Sequence, residues 1–142
     1  MDIRYNAMLQ LLSDTYYLHQ KTLYIHWNVD GHHFFSLHKA LEEQYDELHS
    51  AIDEIAERIK SIDSGYDVHV HQTPSFEHKT QKADAHSMIS DLIKSHQAVI
   101  ETIKHVISSC SNDAVTEDMA IERLAQHEKT LWMLKSFNEQ TC

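Results

Sequence analysis

Apolar residues recur along most of this chain at alternating steps of four and three, the period of a helix that buries one face against its neighbours. The pattern is cleanest between Phe34 and Ile62, where Leu41, Tyr45, Leu48, Ile52, Ile55, Ile59 and Ile62 form one seam. Such a seam predicts a helix packed in a bundle. A first helix is predicted from about Ile3 to Val29, carrying Met8, Leu9, Leu11, Leu12, Tyr16 and Leu23, with Gly31 as the break after it. Gly65 ends the second helix, and a long connection follows through Val68, His69, Val70, His71 and Pro74, with a short extra helix expected after Pro74. A third helix starts near Asp84, a suitable N-cap, and carries Ile89, Leu92, Ile93, Val99, Ile100, Ile103 and Ile107. After a polar break at Ser108 to Asp113, Thr116 is the expected cap of a fourth helix reaching about Phe137. A short loop makes antiparallel neighbours, whereas a long connection can cross a bundle. The pattern therefore predicts an all-α, four-helix bundle with one crossing connection.

Composition agrees with this reading. Two glycines and one proline in 142 residues leave few turns and long helices. The length suits one domain spanning residues 1–142. The net charge of −10 repels nucleic acid and anionic membrane and attracts cations. Thirteen histidines change that picture in acid, because protonating all of them would carry −10 to +3. Cys110 and Cys142 form no CxxC or CxxH pattern, which argues against a disulfide framework or a zinc knuckle. No run approaches a membrane span, and the first residues carry no basic-then-apolar leader. A cytoplasmic setting is expected.

One position over from the apolar seam of the second helix runs a stripe of His38, Glu42, Asp46, His49, Asp53 and Glu57. Every member can ligate a metal, although a solvated helix face carries the same residue types. His38 and Glu42 lie one turn apart, as do Asp53 and Glu57, so each pair can chelate. The two pairs are separated by roughly 22 Å along the axis at ~1.5 Å per residue, too far for one chain to bring both to one ion. Two antiparallel copies across a twofold axis remove that obstacle, because His38 of one then meets Asp53 and Glu57 of the other, and the site occurs twice. His26, just before the break, is placed to fold back toward His38. Imidazole mixed with carboxylate suits iron, manganese or zinc without choosing among them.

These residues resemble a known family. The block His26-Trp27-Asn28-Val29, Gly31, Phe34-Phe35-Ser36-Leu37-His38, Asp53 and Ala56-Glu57-Arg58 is similar to the motif of the Dps proteins, or miniferritins. The stretch His127-Glu128-Lys129-Thr130 with Trp132-Met133-Leu134 resembles their last helix, so the likeness covers nearly the whole chain. The resemblance implies a ferritin-like four-helix bundle with a short extra helix in the long connection between helices two and three. It also implies a homododecamer and a ferroxidase centre between twofold-related subunits, holding two irons, with zinc or manganese as substitutes. By position, His26, His38, Asp53 and Glu57 match the family's ligands. Glu42 falls where the family has an acidic residue, often aspartate. Trp27 falls beside the centre, where an indole can take up an oxidising equivalent; by residue type alone it reads equally as a core aromatic. The implied activity is oxidation of Fe²⁺, preferably by hydrogen peroxide, with storage of ferric mineral and protection from oxidative stress. Asp118 matches a pore position for entering cations, and Asp113, Glu117 and Glu122 are nearby candidates, though a helix N-terminus attracts acidic residues anyway.

The sequence departs from the family in one respect. Members that condense DNA usually carry a Lys/Arg-rich tail, and neither end of this chain does, so DNA binding is expected to be weak at neutral pH. A DNA-compacting protein is the alternative reading, and a helical interaction subunit whose stripe is only a dimer interface is a third. His69 and His71, with His78 close by, form a His-x-His pair that admits a metal site or an exposed loop. His19, His86, His96, His105 and His127 share no spacing and read as surface or packing residues.

Overall fold

The computed structural model describes residues 2–71 and 81–139. Within them the chain forms α1 (Ile3–Asn28), α2 (Phe34–Ile62), α3 (Ala85–Ser108) and α4 (Ala114–Asn138), and no strand. The extra helix expected after Pro74 falls outside the described residues.

Each start has a local chemical cause. The Asp2 carboxylate accepts from the Arg4 and Tyr5 amides at the head of α1, and Asp84 accepts from the Ser87 amide at the head of α3. Between α1 and α2, Gly31 adopts φ +100, a conformation that a Cβ would strain. The start of α4 differs from expectation. Asp113, not Thr116, is the N-cap, and its Oδ1 accepts from the Thr116 amide at 3.1 Å. Thr116 lies buried inside the first turn, where its hydroxyl oxygen accepts from Arg58 Nε at 3.0 Å.

α1 packs against both α2 and α3, α3 packs against α4, and α2 touches α4 more sparingly. Among the described residues α2 and α3 do not touch, so they occupy diagonal corners. The described parts of the connection between them touch α1 near its head, its middle and its end. The Tyr5 hydroxyl donates to the Asp67 carbonyl, the His71 amide to Ser13 Oγ, and Lys82 Nζ to the Asn28 carbonyl. This is the long crossover predicted from the loop lengths, and it leaves α2 and α3 running the same way. From the predicted seams Met8, Leu11, Leu41, Ile55, Ile59, Ile89, Leu92 and Ile103 are fully buried, Leu18 and Ile25 join them from outside those seams, and Tyr16 of the first seam is exposed.

Candidate metal centre

α1 ends and α2 begins around a five-residue turn, which returns the chain so that His26 and His38 face each other. Their rings stack with centroids 3.7 Å apart and planes 18° off parallel. His26 Nδ1 donates to the His38 carbonyl at 2.8 Å, and His38 Nδ1 donates to the His26 carbonyl at 2.9 Å. A carbonyl only accepts, so both Nδ1 atoms carry a proton, and Nε2 is the atom each neutral ring would offer to an ion. A backbone carbonyl fixing the far nitrogen is how metal-binding histidines are held in orientation and tautomer. Phe34 stacks on His38 with ring centroids 5.0 Å apart, and Tyr45 meets His26 edge-on at 5.1 Å. His26 is only 7% exposed, whereas His38 is half-buried.

Glu42 lies one turn along α2 and pairs weakly with Lys39 at 3.3 Å, an exposed contact of little energy. Asp53 and Glu57 are exposed on α2, one turn apart. One chain thus brings the two histidines together and leaves the two acids elsewhere on the same stripe. Among the described residues of this single chain, no three metal-ligating side chains converge. Trp27 is 67% exposed in the isolated subunit, so it is not a core aromatic. Phe35, Trp132 and Met133 are exposed as well, more apolar surface than a subunit working alone would present.

The acidic residues considered for a pore separate into two kinds. Asp118 and Glu122 are exposed and Glu117 half-buried near the start of α4. Asp113 is buried and engaged: Arg4 Nη1 donates to its Oδ2 at 2.7 Å and Arg58 Nη2 to its Oδ1 at 3.1 Å. Burial alone would raise this carboxyl, but hydrogen bonds from Thr116 and Arg4 and the charge of Arg58 win and hold it at about 2. Asp113 is therefore an anchor joining α1, α2 and α4, with both carboxylate oxygens already engaged.

Two of the histidines that showed no shared spacing, read as surface or packing residues, pack in the core and form a pair. His96 of α3 and His127 of α4 are buried and meet Nδ1 to Nδ1 at 3.0 Å. Arg123 Nη2 contacts His127 Nε2 at 3.0 Å, and Arg123 Nη1 pairs with Glu47 of α2. Guanidinium only donates, so His127 Nε2 accepts, its Nδ1–H donates to His96, and His96 carries its proton on Nε2. That Nε2 has no partner among the described residues. Desolvation, reinforced by the Arg123 charge, pushes His96 down to about 4 and His127 to about 2, so both are neutral over the physiological range. Burial, followed by His49, also lowers His19 on α1. In the connection, His69 Nδ1 contacts Asp67 Oδ2 at 2.8 Å and its ring lies 5.2 Å from that of His71; His78 falls outside the described residues.

Comparison with known proteins agrees with this architecture. A ferritin-like domain family matches residues 5–141. A low temperature-induced protein of Nostoc sp. is 34% identical over 94% of this chain and 79% of its own. DNA protection during starvation protein 2 of Bacillus anthracis is 33% identical, covering 81% of this chain and 82% of its own. Among solved structures, a Dps protein from Bacillus brevis superposes with a TM-score of 0.83 at 28% identity, over 98% of this chain and 99% of that one. The Dps protein of Vibrio cholerae, described as one of the ferritin-like diiron-carboxylate proteins, gives 0.80 at 25% identity, over 96% and 89%. The chain belongs to the ferritin-like family and, within it, to the Dps miniferritins.

Proposed function

We propose that this chain is the subunit of a dodecameric iron-storage cage that oxidises ferrous iron at a dimetal centre shared between two subunits. His26, His38 and Glu42 come from one protomer, and Asp53 and Glu57 from its twofold partner. The observation that supports this most is the reciprocal His26–His38 arrangement, which presents two oriented Nε2 lone pairs at the edge of a helix hairpin. Two acids on the same stripe, exposed in one chain, supply the anionic half that a second copy would bring. Ferrous iron is the substrate. Hard carboxylate oxygen favours Fe³⁺ over Fe²⁺, which makes the held ion easier to oxidise. A pair of ions gives hydrogen peroxide two electrons together, and with two protons the peroxide becomes two waters, so no hydroxyl radical is released. That step underlies protection from oxidative stress. Trp27, next to His26 and exposed, takes a stray oxidising equivalent, and Asp118, Glu117 and Glu122 draw cations toward the cage. Zinc or manganese would occupy the same ligands in place of iron.

A complementation experiment tests the sharing. Cages of His26→Ala/His38→Ala subunits, and cages of Asp53→Ala/Glu57→Ala subunits, are each expected to lose peroxide-driven ferroxidation. Random co-assembly of the two makes mixed dimers in which one of two sites has every ligand, so roughly a quarter of the wild-type rate returns. Mixed cages as inactive as their parents would refute the shared centre. DNA binding is expected to be absent at pH 7 and moderate salt, because −10 per subunit opposes phosphate contact; a gel shift under those conditions would overturn that expectation.

A further inference from the structure

The proposed centre leaves three donors of the same region unused. Asp46 and His49 lie in the middle of the α2 stripe, both exposed, and His19 reaches the same place from α1, half-buried. The rings of His19 and His49 have centroids 5.8 Å apart at 40°. Tyr45 stands edge-on to His19 at 6.1 Å and to His26 at 5.1 Å, and so separates this group from the centre. Along the helix, Asp46 and His49 are roughly 12 to 16 Å from His38 at ~1.5 Å per residue, beyond sharing one ion.

Their position gains meaning from the twofold pairing, on which this inference rests. An antiparallel pair of α2 helices is crossed by its axis at the midpoint of any two residues that meet. The midpoint of His38 and Asp53 falls between Tyr45 and Asp46, and that of His38 and Glu57 between Glu47 and Leu48. The axis therefore passes between Tyr45 and Leu48, so along the helix Asp46 lies within about 2 Å of it and His49 about 2 to 5 Å beyond it at ~1.5 Å per residue. The same pairing sets His49 opposite residues between Glu42 and Asp46 on the partner helix. Two Asp46 carboxylates facing each other repel, and two His49 rings add lone pairs beside them; a cation answers both. One chain holds too few donors, and two chains would bring up to four imidazoles and two carboxylates beside the axis.

We propose that the dyad carries a metal site of its own, distinct from the two shared centres, built from His19, Asp46 and His49 of both protomers and taking one divalent transition cation per dimer. Imidazole with carboxylate suits zinc or ferrous iron in a four-coordinate set. Its effect is to tie dimer association to cation supply, because an ion bound only by the paired state stabilises that state.

Zn²⁺ titration of the assembled protein by calorimetry, together with anomalous diffraction from Zn²⁺-soaked crystals, tests this. A His38→Ala/Asp53→Ala cage, crippled at both shared centres, is expected to keep about one Zn²⁺ per dimer. Adding His49→Ala is expected to abolish that ion in cages that sedimentation shows to be still assembled. A His38→Ala/Asp53→Ala cage that binds no Zn²⁺, or whose binding ignores His49→Ala, overturns the dyad site. The crystals separate the two ideas. Zn²⁺ between His26, His38 and the partner's acids with a bare axis removes the dyad site alone, whereas α2 helices not paired across a twofold remove both.

Discussion

In the α1–α2 half of the bundle, His26 and His38 turn one nitrogen each into the backbone and keep the other outward. In the α3–α4 half, His96 and His127 turn toward each other, and Arg123 takes the nitrogen that is left. Both pairs bridge two helices, and in both the partners fix which ring nitrogen faces which group. They differ in what satisfies them. Carbonyls take a proton donor from each of the first rings and leave a lone pair free for an ion. The second pair spends its lone pairs on a neighbouring imidazole and a guanidinium, which can be replaced by no metal without breaking the core. The imidazole becomes a ligand or a strut according to whether its acceptor side points at solvent or at a fixed donor.

The largest effect that would break this contrast comes from Arg123. Arg123→Met leaves Glu47 and His127 Nε2 without their partner, and should cost about 3 kcal/mol in denaturant unfolding, a value moderated by the partial exposure of Glu47. A loss below 1 kcal/mol would mean that the buried chain contributes little to the core.

Acid acts on the same place. Both core histidines titrate lower folded than unfolded, so the unfolded chain binds more protons as pH falls. Stability is therefore complete above about 6.5 and declines as pH drops through about 4, by on the order of 3 kcal/mol for His96 alone. His96→Gln, which cannot titrate, should flatten the decline between pH 6.5 and 4 in denaturant midpoints. An unchanged slope would assign acid lability elsewhere. Asp113, held at about 2, acts only below this window, since its contribution is lost as pH falls beneath the ordinary carboxylate range.

His38→Ala sharpens the contrast from the other side. It removes one hydrogen bond to a carbonyl, worth about 1 kcal/mol of folding, yet should reduce Zn²⁺ or Fe²⁺ affinity at the proposed shared centre at least tenfold. Equal losses of folding and binding would make this pair a strut too. Smallest of all, Trp27→Phe should change stability by less than about 0.5 kcal/mol, because the indole is exposed, while increasing radical damage during iron oxidation, read by spin trapping.

How much of this was legible in the sequence depended on where the deciding partner lay. The ends of α2 and the Asp84 cap followed from neighbours a few residues away, and the crossover followed from loop length. The head of α4 did not, because Asp113 and Thr116 are both good caps and the choice was made by Arg4 and Arg58, far off in sequence. The turn of His26 toward His38 was foreseeable from the break at Gly31, but the reciprocal carbonyl bonds were not. The His96–His127 pair was missed, since its members lie on different helices and no spacing links them. A signal did exist: the buried face of α4 runs Thr116, Met119, Ala120, Arg123, His127, Thr130 and Leu134, a helical stripe whose polar members are too regular to be accidental exposure.

His38 also finishes α1. The last carbonyls of a helix lack amides to receive, and at the end of α1 that of Ile25 takes the Val29 amide, that of Asn28 takes Lys82, and that of His26 takes the His38 ring. The ring we propose as a ligand is thus already a closing piece of the preceding helix. At the proposed centre, stripping an ion with a chelator would leave that closure intact, and the half-site would need no refolding to take another.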